Sequence, residues 1–314
     1  MLLLVGACAA DPEDVSLTST EQMGVNMQGV NMQGVNMQGV NMQGVNMQSF
    51  TLDGIQLSGG PLSNARVEKG ELVADRPNGT VVRGTAMSGA QLVGNGVDAN
   101  GAVIAVQYRI ASVIAEVGHD PTQTGNTYLY EIQQWVDDTA SWQAACSADS
   151  DGRRVAIPIA ATFDASGDRH EVPGEFTFGC TTGVIAKCYR WGYKPWLTGY
   201  GGANFEALHH TCTRAARADY CGNGIPHTRN NTPINIWDRL PYPGPVQKHG
   251  FLPPLGMLFE AGWNTDGAVC MSLARWILDD GLAQLCPDRL VPPGLLGATV
   301  CDTVVQVLFQ DPGA

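Results

Sequence analysis

The chain has 314 residues, enough for a repeat module plus one domain, of which 15% are charged, and its formal net charge is −12. The few Lys and Arg are dispersed, which leaves no basic patch to hold nucleic acid and excludes it as a partner. No apolar run reaches the roughly eighteen residues that a membrane-spanning helix needs.

The opening Met1-Leu-Leu-Leu-Val-Gly-Ala-Cys8 resembles the end of a bacterial lipoprotein signal peptide, in which the cysteine carries lipid. No basic n-region precedes it, so residues 1–8 are expected to be the remnant of such a signal, with Cys8 as the lipidation site. An acidic protein gains nothing from anionic lipid, so membrane attachment would rest on that lipid. Residues 9–23, with Asp11, Glu13, Asp14 and Glu21, read as a polar tether.

Five identical copies of Gly-Val-Asn-Met-Gln then run from Gly24 to Gln48. Their register continues past the exact copies: from Met47, steps of five reach Leu52, Leu57, Leu62, Val67 and Leu72, and after a miss at Pro77, Val82, Met87, Leu92 and Val97. A period of five fits neither a helix nor a flat strand. It fits a chain that turns a corner every five residues, and it resembles the pentapeptide-repeat family. That resemblance implies a right-handed, four-sided β-helix over residues 24–98. The charge-free exact copies also suit disordered low-complexity sequence. The degenerate copies favour the coil, because slippage alone would not keep an apolar residue at every fifth position while changing its identity.

Beyond the repeats the pattern becomes strand-like. Ala102–Ile110 and Thr127–Trp135 alternate as half-buried strands, and Val155–Ile159, Glu175–Phe178 and Val184–Tyr189 read as shorter ones. The acidic segments Asp149–Gly152 and Asp164–Asp168 read as turns. A helix is expected over about 204–221, with Asn204 as N-cap, an apolar stripe through Phe205, Leu208, Cys212 and Ala215, and Gly222 as the stop. Glu206, His210, Thr213, Arg214 and Arg217 would then face water. Ala268–Leu278 reads as helix or strand, and Val304–Gln310 as a strand. The fold class is mainly β with some α, the coil leading into a β-rich domain over residues 99–314.

Setting Cys8 aside leaves Cys146, Cys180, Cys188, Cys212, Cys221, Cys270, Cys286 and Cys301, none in a Cys-x-x-Cys pair. An even, scattered set points to disulfides formed in an oxidising compartment. They allow about a hundred connectivities. Cys146 with Cys180 and Cys286 with Cys301 are the expected pairs among them.

Several spaced blocks carry a second resemblance: Trp142-x-x-x-Cys146, Phe176-Thr-Phe-Gly-Cys180, Ala186-Lys-Cys188, Trp191-Gly-Tyr-Lys-Pro-Trp196, and His209-x-x-Cys212-x-Arg214-x-x-Arg217 leading into Ala218-Asp-Tyr-Cys221. Pro226-His-Thr228, Phe259-Glu-Ala261 and Gly267-Ala-Val-Cys270 follow. Together they resemble the ADYC domain of predicted myxobacterial lipoproteins, over roughly residues 85 to 301. The resemblance implies a lipoprotein and brings no assigned activity.

Chemistry must therefore come from the residues. His209 or His227 with Asp219 could do acid–base work. Arg214 and Arg217 share a helix face and could clamp an anion, and Trp191, Tyr193 and Trp196 could form a stacking wall for sugar or peptide. Against these readings stand a structural ion pair for Asp219 and core packing for the aromatics. Adjacent His209 and His210 point about 100° apart, so they do not share a metal. No phosphate-binding loop, nucleophile elbow or zinc motif is present, and no cofactor or metal is expected. The expected function is that of a non-enzymatic, lipid-anchored envelope or cell-surface protein, a repeat spacer presenting a structural or ligand-binding domain to an envelope or extracellular partner. The alternative is an extracytoplasmic, hydrolase-like enzyme built on His209 or His227 with Asp219.

Overall fold

A computed structural model describes residues 51–97, 103–116, 127–149, 151–198, 202–228, 234–238, 257–271 and 305–310, less 165 and 174, together with Leu240 and Cys286. The exact repeats, the tether, Cys8 and Cys301 lie outside the described residues.

The described part is mostly β, with two helices and three disulfides. In chain order the strands are β1 Thr51–Leu57, β2 Gly60–Glu68, β3 Glu71–Asp75, β4 Val81–Arg83, β5 Gln91–Val97, β6 Val103–Glu116, β7 Thr127–Val136, β8 Ser141–Ala144, β9 Ala156–Ile159, β10 Thr162–Phe163, β11 Arg169–His170 and β12 Thr177–Cys180. Helices α1, Val184–Arg190, and α2, Phe205–Arg217, follow, and then β13 Ile234–Asp238, β14 Met257–Asn264, β15 Gly267–Met271 and β16 Val305–Gln310. Ten strands form one sheet in the order β12-β9-β7-β6-β5-β1-β2-β3-β4, with β8 beside β7; β13-β16-β14-β15 form a second, and β10 and β11 pair apart.

The degenerate repeats do not continue a coil. β1 pairs antiparallel with β2 and β5, β2 with β3, and β3 with β4, so residues 51–97 form hairpins and not the four-sided β-helix expected there. The chain reverses at Gly59, Lys69–Gly70, Gly79 and Gly89, all with positive φ, about every ten residues. Each hairpin unit thus spans two pentapeptides, and the apolar register survives: Leu62, Leu72, Val82, Met87 and Leu92 are buried, and Leu52, Leu57 and Val67 pack against the same cluster. Five is odd, so within an unbroken strand every second register residue would point to the wrong face. One extra residue between Leu52 and Gly54, and another between Ser63 and Arg66, restores the inward face.

Two apolar clusters hold the fold. One lies under β1–β7 and includes Tyr108, Ile110, Tyr130, Ile132, Phe178 and the Cys146–Cys180 disulfide. The other gathers α1 and α2 with Ile157, Ile159, Phe163, Trp263 and Ala268. Val184–Tyr189, expected as a strand, is most of α1. Val184, Ile185, Ala186, Lys187, Cys188, Tyr189 and Arg190 are all buried, and a short apolar run buried on every side carries no periodicity to separate helix from strand. Ala268 to Met271 belong to β15, and the remainder of the segment to Leu278 lies outside the described residues.

Helix α2 starts where expected: the Asn204 side chain accepts hydrogen bonds from the backbone N–H of Glu206 and Ala207. It ends earlier, at Arg217, with Ala218 in the left-handed conformation, so Gly222 is not its stop. Its expected wet face is also corrected. Of the residues assigned to water only Glu206 is exposed, and His210, Thr213, Arg214 and Arg217 are buried, because the hairpin β14–β15 and the Asp164–Asp168 turn close over them.

Cys146 pairs with Cys180, as expected. Cys286 bonds Cys221 and not Cys301, and Cys188 bonds Cys212, tying α1 to α2. Cys270 is also disulfide-bonded.

Candidate functional site

The residues Ala218 to Cys221 leave α2 and turn under the loop 222–228. Ala218, fully buried, closes the helix through its N–H to the carbonyls of Ala215 and Arg214. Asp219 is also fully buried: its backbone N–H donates to Arg214 O, its carbonyl accepts from Gly222 N–H, Arg214 Nη1 donates to its Oδ2 at 2.5 Å, and the N–H groups of Asn223 and Gly224 donate to Oδ1 and Oδ2 at 3.1 and 3.0 Å. Tyr220 stacks on Trp263 (5.2 Å between centroids) and on His227 (5.8 Å), and its hydroxyl donates to Glu260 at 2.9 Å. Cys221 carries the bond to Cys286.

Arg214 is the hub. Its guanidinium, 1% exposed, reaches Asp219, Asp168 Oδ1 at 2.5 Å, Ser166 O at 2.5 Å and, through Nε, Thr265 O at 3.0 Å. One side chain therefore joins α2, the Ala218–Cys221 signature, the Asp164–Asp168 turn and the β14–β15 turn. Arg217 donates through Nη2 to Gly224 O, and its Nε and Nη1 have no partner among the described residues. Burial lowers its pKa to about 9, with Arg214 pushing the same way and Asp219 opposing. The anion clamp expected from the two arginines is absent, because Arg214 is occupied by protein oxygens and both guanidinium groups are sealed from solvent.

The histidines do not meet Asp219. His209 Nε2 contacts Ile185 O at 3.0 Å, Nδ1 has no partner among the described residues, and burial lowers its pKa to about 3. His227 lies flat on Tyr220, its pKa lowered by burial, and its Nδ1 likewise lacks a partner among the described residues. Neither ring hydrogen-bonds the carboxylate, whose oxygens are filled by Arg214 and the loop N–H groups. Among the described residues no group of three His, Cys, Asp or Glu could hold a metal ion.

Two of the three residues of the expected stacking wall are interior, and Trp196 is half-buried. Trp191 is 5% exposed, Tyr193 is fully buried with its hydroxyl on Asp238 Oδ2, and Trp196 packs edge-on against Tyr189. Sequence reasoning missed Asp168, Glu260, Trp263 and Thr265 as partners of the signature. They lie 46, 40, 43 and 51 residues from the residues they meet, and only the Phe259-Glu-Ala261 block offered a hint.

The described residues thus define a disulfide-stapled, mainly β domain whose most distinctive motif is a packed junction. The chain matches the ADYC domain model over residues 84–277, more than half its length, and belongs to that family. It also matches the pentapeptide-repeat model, in eight copies, over residues 23–59. No curated protein and no solved structure matches it. Three disulfides accord with folding in an oxidising, extracytoplasmic compartment.

Proposed function

We propose that this protein is a non-enzymatic, lipid-anchored envelope protein, in which the pentapeptide array spaces an ADYC domain from the membrane that holds Cys8. The observation that carries the non-enzymatic part is the Arg214–Asp219 junction: the carboxylate that the sequence offered for acid–base work is fully buried and bonded to a guanidinium and two backbone N–H groups. An acid–base pair needs a histidine within reach of that carboxylate, and both nearby rings are turned elsewhere. The disulfides support export, and the sequence around Cys8 supports the anchor.

The anchor is tested by expressing the chain behind a complete lipoprotein signal in a Gram-negative host fed an alkynyl fatty acid. The expected result is label on the protein and partition into detergent, both lost in Cys8→Ser. An unlabelled wild type, or a labelled Cys8→Ser, overturns the reading.

A further inference from the structure

The face of the large sheet that points away from the β1–β7 cluster carries a row of side chains unrelated to the signature. In register across β1, β5, β6 and β7 stand Gln56, Gln91, Arg109 and Gln133. At about 4.8 Å per strand, the row with β8 beyond it spans about 19 Å. At its end Trp135 and Trp142 sit opposite one another on β7 and β8, edge to face with centroids 5.5 Å apart. Both are half-buried, so part of each ring reaches solvent.

These groups are held in place. The Arg109 guanidinium lies over Trp142, 4.8 Å from the ring centre, and its Nε donates to Gln133 Oε1 at 2.6 Å. Gln133 in turn donates to Glu131 Oε1, and Trp135 Nε1 donates to Asp137 Oδ1 at 2.8 Å. Arg109 thus keeps its terminal nitrogens, and the exposed Gln56 and Gln91 their amides, without a protein partner among the described residues.

Charge selects the occupant. The chain carries −12 in total, which opposes anionic polymers. On this face Arg109 and Glu131 are linked through Gln133 and offset each other, and Asp137 beside Trp135 adds a negative charge that again disfavours an anionic ligand, so the amide-rich strip ending in two indoles suits an uncharged one. Indole faces accept the apolar C–H faces of a pyranose ring, and amides in cross-strand register offer both donors and acceptors to ring hydroxyls. We propose that this face binds an uncharged, β-linked polysaccharide laid across strands β8 to β1, its sugar rings stacking on the indole surface of Trp142 and Trp135 that Arg109 leaves open and its hydroxyls meeting Arg109, Gln91 and Gln56. This site does not depend on the lipid anchor.

The test uses the full chain with cellohexaose and chitohexaose in titration calorimetry, and insoluble cellulose and chitin in pull-down. The expected result is saturable binding of at least one hexasaccharide, accompanied by a change in tryptophan fluorescence. Trp142→Ala should weaken binding at least tenfold. Gln91→Ala, an exposed change that leaves the core untouched, should weaken it several-fold at unchanged melting temperature. Absence of wild-type binding to all four probes overturns the proposal. So does binding that both variants retain in full.

Discussion

At the residue scale, the four letters of the signature have separate physical jobs, and each can be disturbed alone. Asp219 neutralises Arg214 inside the protein, where an unpaired charge is costly. Asp219→Asn keeps the shape but leaves the guanidinium facing an amide, so we expect a folded but weakened protein, less stable by about 3–5 kcal/mol in urea unfolding. His209 gives a pH signature. Burial lowers its folded pKa to about 3, below the ordinary value of 6.5, so between those values the unfolded chain binds a proton that the folded one refuses. Stability from this group is complete above pH 6.5 and falls as pH drops towards 3, with a slope near 1.4 kcal/mol per pH unit. Urea unfolding across that range checks it, and His209→Gln should flatten the slope. Lys187 acts at the other end: burial, with Arg190 adding to it, lowers its pKa from 10.5 to about 7. Stability should therefore rise from pH 7 towards 10, and Lys187→Met should remove that rise while raising stability at pH 7.

At the element scale, the legible and the illegible parts divide by whether the signal is local. The fivefold apolar register named the inward residues Leu62, Leu72, Val82, Met87 and Leu92, yet their architecture was not in the period. A ten-residue hairpin unit with bulges and a four-sided coil place the same residues inside. What separates them is the φ > 0 turn at Lys69–Gly70, with its chain reversal. The Asn204 cap was legible because capping is a local bond. The buried far side of α2 was not, since Arg214 and Arg217 are polar and only their distant oxygen partners make burial tolerable. The turn that receives the signature is equally tight. Gly222 has φ +68°, and a Cβ there would lie 2.0 Å from Asp266 O, while Gly267 on the facing turn would put its own Cβ 2.7 Å from Tyr220 O. Gly222→Ala combines a left-handed backbone with a clash against main chain that no rotamer relieves. We expect a loss of about 3 kcal/mol or more, read as a lower urea midpoint, with wild-type helical circular dichroism in the fraction that folds.

At the scale of the whole molecule, the disulfides join what the sheet topology separates. Cys146–Cys180 ties the end of β8 to the edge strand β12, Cys188–Cys212 ties the two helices, and Cys221–Cys286 fastens the signature to a residue 65 positions later. Only the first pairing was legible, because its cysteines flank a single strand-rich segment. The choice between Cys221 and Cys301 as partner of Cys286 depends on a three-dimensional approach that spacing does not encode. Each bond restricts the unfolded chain, and in the chain-entropy account the effect grows slowly with the loop it closes. The closed loops span separations of 24, 34 and 65 residues, so each bond should contribute about 3–4 kcal/mol, with Cys221–Cys286 at the upper end. Non-reducing peptide mapping should recover these three linked peptides, a further one containing Cys270, and none joining Cys286 to Cys301. Replacing each pair by alanine should lower the melting temperature most for Cys221/Cys286, since that change lengthens the free loop most and also loosens the turn that holds Asp219 against Arg214. If the Cys188/Cys212 pair proves the more damaging, packing between α1 and α2, and not loop entropy, dominates the contribution of the staples.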